Sequence, residues 1–374
     1  MNATADVAVI GAGIVGISTA LFLTEAGVPN VVVLEQAHVG AGASGRAAGV
    51  MLVQAGSDDA LRFQLECIAL HRRFRDEFGT DLRPTGSLLL WRSAGAADEA
   101  RDQVALHAAH GITVDVLNPD EVRRRFPYLD PEGVVAATHS TEDQWATPLP
   151  TVRRLADAAR AKGVDIRERC RVVGVDVEGG RVQRVMTERG PLATGAVVNA
   201  AGAWARGLGE PIGVRLPVSP RKRQVFVVEP PPDMPPDSPF ITEEEHDFYC
   251  KTRAEGLIMV CGQPPGETLD PVVEWGYLDE ALSRTERLIP AARTMPITGA
   301  WAGIRPISQD GRPFVGAVPD LEGYYVAGGF GGQGFTQGPL GGRLLAELMT
   351  TGRPSIDLTP YRPDRATAVR ARSR

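Results

Sequence analysis

Apolar runs and glycine-stopped helical stretches alternate at the start of the chain. Residues 6–10 form a β-branched apolar run, residues 14–26 carry apolar side chains at helical spacing and stop at Gly27, and residues 31–34 form a second apolar run ending at Glu35. That order predicts a β-α-β unit. A stretch rich in glycine and alanine, 40–49, follows, and then a helix over about 60–78 with Gly79 as its stop. The pattern next predicts a strand at 87–91, a helix at 96–110 closed by Gly111, and a helix at 148–161. Strands are predicted at 164–166, 171–177, 182–187, 196–200 and 216–229. Dense proline over 230–239 resists regular structure and reads as a loop or lid. Strands at 247–252 and 257–261, a helix at 279–289, a strand at 324–326 and a helix at 338–349 complete the chain before a basic frayed tail at 366–374.

The alternation implies an α/β protein, and a length of 374 residues suits two domains with sizeable cores. A net charge of −6 argues against a nucleic-acid surface, which needs clustered cations to displace counterions. The local exception, Arg221-Lys222-Arg223, reads as a solvated loop. Cys67, Cys170, Cys250 and Cys261 lie far apart without metal or redox spacing, so buried reduced thiols are expected. His107 and His110 are expected to decorate a helix. The N-terminal apolar run is broken by glycines and has no basic leader, so neither signal peptide nor membrane span is expected, and a cytoplasmic location follows by elimination.

Gly11-Ala12-Gly13-Ile14-Val15-Gly16 lies between the first strand and helix. Its first glycine permits a tight turn, its second lets backbone approach a pyrophosphate, and its third lets helix and strand pack closely. Glu35 ends the next strand where a carboxylate accepts hydrogen bonds from a ribose, so the unit reads as a dinucleotide site. Small residues, a hydroxyl and a cation in Gly42-Ala43-Ser44-Gly45-Arg46-Ala47-Ala48-Gly49 suit a second phosphate and favour FAD over a nicotinamide cofactor.

These residues resemble the D-amino acid oxidase superfamily of flavoproteins, which includes glycine oxidase and the sarcosine oxidases. The resemblance extends through the stretch from Val198 to Trp204, through Trp301-Ala302-Gly303-Ile304-Arg305-Pro306 and Asp310-Gly311-Arg312-Pro313, and through the glycine-rich run from Gly328 to Phe335. It implies a Rossmann-type FAD-binding domain of the glutathione-reductase kind (1–83, 146–215 and 299–374) with an inserted α+β substrate domain on a mainly antiparallel sheet (84–145 and 216–298). It places Gln36, Val50, Val172, Ala201, Gly202, Trp204, Gly303, Gly331, Gly332, Gly334 and Thr336 against the cofactor, beside the residues already named. FAD is expected to be noncovalent, because neither cysteine nor histidine occurs within 40–50 or 299–306.

The family position of Arg305 implies a two-point clamp on a substrate carboxylate, with the Tyr249 hydroxyl helping to hold it. Thr336 stands where sarcosine oxidases carry a lysine, and Gln333 where many relatives carry histidine. The expected reaction is oxidation of an amine or amino-acid C–N bond to an imine that water hydrolyses, with oxygen or another carrier taking the electrons. The other readings are a dehydrogenase subunit of a hetero-oligomer and a nonenzymatic flavoprotein. Alternation puts Lys251 on the strand face of Tyr249, either as a solvated side chain or as a cation that assists oxygen reduction.

Overall fold

The computed structural model describes residues 4–243, 248–261 and 264–365. The predicted tail at 366–374, and residues 244–247, which include the first residue of the strand predicted at 247–252, lie outside these described residues.

Val7–Ile10 and Val31–Leu34 are wholly buried strands, paired in parallel from Val7↔Val31 to Ile10↔Leu34. With Asp165–Arg167, Val197–Asn199, Tyr324–Gly328 and Phe314–Ala317 they form a six-stranded sheet, parallel except for the last strand. Strand alternation sends Val7, Val9, Val31 and Val33 into a core shared with helices Ile14–Glu25, Pro148–Ala161 and Gly334–Thr351. Ala8, Ile10, Val32 and Leu34 face a second core with the antiparallel sheet of Val172–Glu178, Arg181–Thr187 and Gly190–Ala193. Burial on both faces is why these strands read as continuous apolar runs.

A larger sheet of eight strands runs in the order Ile297–Ser308, Val218–Val228, Gly256–Cys261, Phe248–Arg253, Phe240–Glu243, Ser87–Trp91, Ala136–Ser140 and Asp115–Leu117. It is antiparallel except where Phe240–Glu243 runs beside Ser87–Trp91. Phe226, Met259, Cys250, Ile241 and Leu88 pack on one face with helix Leu278–Glu286, which leaves the opposite face to look toward the six-stranded sheet. Residues 299–308, expected with the cofactor half, instead run as the edge strand of this larger sheet, because Ile297–Ser308 pairs with Val218–Val228 along nearly its whole length. The α/β class and the mainly antiparallel second sheet are as expected.

Three local expectations change. The basic run is not a solvated loop: it lies inside strand Val218–Val228, with Lys222 and Arg223 buried at 4% and 5% exposure. Lys222 turns away and pairs with Glu274 at 2.8 Å. His107 is not a surface decoration either, since its Nε2 accepts from the Ala55 amide in the interior; His110 instead pairs with Asp58 at 2.7 Å. The last helix begins at Gly334 rather than Gly338 and carries Pro339 inside it. Proline removes the amide that would serve the carbonyl four residues back. That carbonyl, Phe335 O, accepts from buried His71 Nε2 at 3.1 Å, and Thr336 O lies 3.3 Å from the same nitrogen. Cys67, Cys170 and Cys250 are buried free thiols, while the Cys261 side chain lies outside the description. No helix among the described residues is long and apolar enough to cross a membrane.

Candidate active site

Between the two sheets lies a cavity of about 1150 Å³, lined from Glu35 and Gln36 through Gly40–Val50 and residues 200–204 to Tyr249, Arg305 and residues 330–336. Its floor begins at the first glycine turn. Gly11 has φ +103°, and a Cβ there would meet the Ala200 carbonyl at 2.6 Å; a Cβ on Gly16 would meet the Gly11 carbonyl at 1.9 Å. Gly11 therefore needs glycine for both conformation and packing, and Gly16 for packing. Gly13 faces the cavity, and a Cβ there would fill the space beside Ser44 Oγ. The Ser44 hydroxyl accepts from the Ile14 amide at 3.0 Å, which joins the start of the first helix to the small-residue loop. Glu35 is held by the Ala12 and Ala37 amides at 2.9 and 2.8 Å, so its carboxylate is fixed at the strand end.

Nearly all sequence-predicted residues line this cavity: Gly11, Gly13, Val15, Glu35, Gln36, Ala43, Ser44, Arg46, Ala48, Gly49, Val50, Val172, Ala201, Gly202, Trp204, Tyr249, Gly303, Arg305, Gly331, Gly332, Gln333, Gly334, Phe335 and Thr336. Ile14 and Gly16 stand behind it, Ile14 with its side chain in the core and Gly16 at the helix–strand contact. Arg46 points inward, donating to Ala302 O at 2.8 Å and Ala41 O at 3.3 Å. Thr336 is buried, and its hydroxyl donates to Val50 O at 3.3 Å. Gln333 is exposed at the cap of the last helix and faces the cavity.

Several supports carry no sequence motif. Trp301 Nε1 donates to Arg46 O at 3.0 Å, Arg253 Nη1 to Ala47 O at 3.3 Å, and Trp145 Nε1 to Ala48 O at 2.9 Å. Three consecutive carbonyls of the small-residue loop are thus held by the larger sheet and its neighbours. Arg253 lies over both indoles, 5.9 Å from the Trp145 ring and 5.4 Å from the Trp301 ring.

The wall opposite is built by register. Arg221 pairs with Arg305 across antiparallel strands and Arg223 pairs with Gly303, so Arg221, Arg223 and Arg305 share one sheet face. Arg223 lines the cavity with its guanidinium 5.9 Å from the Tyr249 ring centre, a residue that the loop reading had hidden. A Cβ on Gly332 would lie 3.4 Å from Arg305 Nη1, which puts that guanidinium against the glycine-rich turn at the last helix. Lys251 shares the Tyr249 face but is neither solvated nor in the cavity wall. Its ammonium is buried, donates to Ser238 O and lies 5.9 Å from the Trp145 ring; burial lowers its pKa to about 8.

The family model described as FAD dependent oxidoreductase, DAO, matches residues 6–348. The chain belongs to this family of FAD-dependent oxidoreductases. Glycine oxidase of Geobacillus kaustophilus is 28% identical, over 95% of this chain and 96% of that protein. Human mitochondrial sarcosine dehydrogenase is 26% identical over 96% of this chain. The chain spans under half the length of the sarcosine and dimethylglycine dehydrogenases it matches, 41% and 45% for the human and rat proteins. Among solved structures, L-proline dehydrogenase from P. horikoshii superposes with TM-score 0.91 at 27% identity, covering 98% of both chains. Glycine oxidase from G. kaustophilus superposes with TM-score 0.86 at 27% identity, covering 97% of this chain and 99% of that one. Family and cavity agree on the cofactor: the Gly13 space, the fixed Glu35 carboxylate and the glycine-rich helix start suit the pyrophosphate, the adenosine ribose and the ring end of FAD respectively.

Proposed function

We propose that the protein oxidises the C–N bond of a small amino or imino acid, giving an imine that water hydrolyses, with oxygen as electron acceptor. The observation that carries this reading is the Arg305 guanidinium, set against Gly332 in the cavity that Tyr249 also lines. FAD, bound noncovalently, supplies the two-electron acceptor for the hydride leaving the carbon next to nitrogen. The protein's part is positioning and electrostatics. Arg305 offers a planar fork that engages both oxygens of a carboxylate and so fixes the neighbouring carbon, and the Tyr249 hydroxyl donates to the same group. The orphan amides at the start of helix Gly334–Thr351, with the positive end of its dipole, face the cavity where negative charge develops on reduction. An amine that arrives neutral needs no strong base, so Gln333 in place of a histidine is compatible with the reaction.

The test is anaerobic flavin bleaching across a panel of amines and amino acids, followed by peroxide assay under air. Bleaching by amino acids but not by their decarboxylated amines is the expected result. A yellow protein that no amine or amino acid bleaches would overturn the proposal.

A further inference from the structure

We propose that His71, which does not line the cavity, is a positioning residue that aims a backbone amide at the flavin ring and so raises the potential at which the flavin is reduced. This rests on the flavin ring lying at the start of helix Gly334–Thr351, and not on which substrate is oxidised.

Helix Asp58–Phe78 packs on Gly334–Thr351 and buries His71 at 1% exposure. The imidazole sits between two rings, its centre 6.0 Å from that of Phe74 and 5.4 Å from that of Phe335, which sets its orientation. Both partners of Nε2, the Phe335 and Thr336 carbonyls, are acceptors only, so Nε2 carries the proton. A helical donor to the Phe335 carbonyl would have to come from residue 339, which is proline, and the imidazole takes that place. The other side of the same peptide group is the Thr336 amide. Thr336 is the third residue of the helix, where an amide has no helical carbonyl to bond, and no side chain caps this start. Gly334, Phe335 and Thr336 all line the cavity. A carbonyl that accepts a hydrogen bond is held in its plane and makes the amide of its own peptide a stronger donor. Negative charge entering the ring on reduction meets a donor already oriented, so the reduced form gains more from it than the oxidised form. Burial lowers the imidazole pKa to about 4, so His71 strengthens this donor as a neutral ring.

The experiment is a dye-indicator titration of the midpoint potential of the FAD-loaded protein under nitrogen, with flavin content counted after acid release. His71→Leu is expected to keep its FAD but to lose about tenfold in its preference for the reduced cofactor, the scale of one hydrogen bond to a charged group and a fall of about 30 mV for a two-electron couple. His71→Met, a flexible apolar side chain that fills the same space without a donor, is expected to fall equally. His71→Gln should stay within about threefold of wild type. Pro339→Ala returns a backbone amide to the Phe335 carbonyl, so the double variant His71→Leu/Pro339→Ala should recover most of the lost potential, which a packing role for the ring does not predict. A wild-type potential in both donor-free variants overturns the proposal, as does a fall that neither His71→Gln nor the added Pro339→Ala reverses. The potentials are read without substrate, and failure of the C–N oxidation reading shows separately, as a flavin of normal potential that no amine or amino acid bleaches.

Discussion

Replacing His71 by glutamine keeps a nitrogen donor within reach of the Phe335 carbonyl and removes the ring that can gain a proton. The imidazole is buried with its Nε2 on a carbonyl that Pro339 deprives of a helical donor, and burial pushes its pKa down from 6.5 to about 4. The folded protein therefore keeps His71 neutral in a range where the unfolded chain protonates it. The stability contribution is full above pH 6.5 and is lost as pH falls from 6.5 toward 4. The gap corresponds to about 3 kcal/mol. Asp143 titrates in the opposite sense: burial raises its carboxyl to about 6, so its contribution fades as pH rises from 3.8 toward that value. It is common to both proteins and cancels in the difference. Urea unfolding of wild type and His71→Gln at steps from pH 7.5 to 4.5 should show wild type losing ground by about 2 to 3 kcal/mol relative to the variant. His71→Leu, which leaves a buried carbonyl without a donor, should cost about 1–3 kcal/mol at pH 7.5. A difference between wild type and His71→Gln that stays flat with pH would refute the buried neutral imidazole.

Arg305→Ala should lower the efficiency of flavin reduction by an amino acid on the order of a hundredfold or more, from about 3–5 kcal/mol for an unpaired anion, with FAD content retained; stopped-flow reduction measures it, and equal loss toward the decarboxylated amine would point to a structural role. Gly13→Val should abolish FAD retention, read as the yellow absorbance after gel filtration, because its side chain fills the space beside Ser44. Acid precipitation of the wild type should release all flavin into the supernatant; colour left in the pellet would show a covalent link. Lys251→Met should leave reoxidation by oxygen unchanged, since Nζ is engaged with Ser238 O away from the cavity wall, and a tenfold slower rate would place that lysine in the oxygen step.

The cofactor half was legible because its determinants are local. A glycine that must take φ +103° and a carboxylate at a strand end leave their mark within one β-α-β unit. Arg223 was not legible, because a basic triplet has no sign of its own: its direction is set by register against a strand some eighty residues on, where Arg223 meets Gly303. Consistent alternation through the predicted strand at 216–229 was the available signal, since Arg221, Arg223, Val225 and Val227 fall on one side. The early start of the last helix was hidden by Pro339, whose cost is met by His71, a residue from another helix that no local pattern connects to it. Trp145, Arg253 and Trp301 likewise act on backbone carbonyls, and such contacts impose no spacing on the sequence.

The hold that Trp301, Arg253 and Trp145 keep on the carbonyls of residues 46–48 makes cofactor and substrate recognition mechanically one object. The loop that walls the cofactor cannot shift without dragging strands of the larger sheet, so slack introduced on the substrate side is transmitted to the cofactor. Change of substrate preference without loss of cofactor is then confined to side chains such as Arg223 and Thr242, which line the cavity from that sheet but carry none of the three tethers.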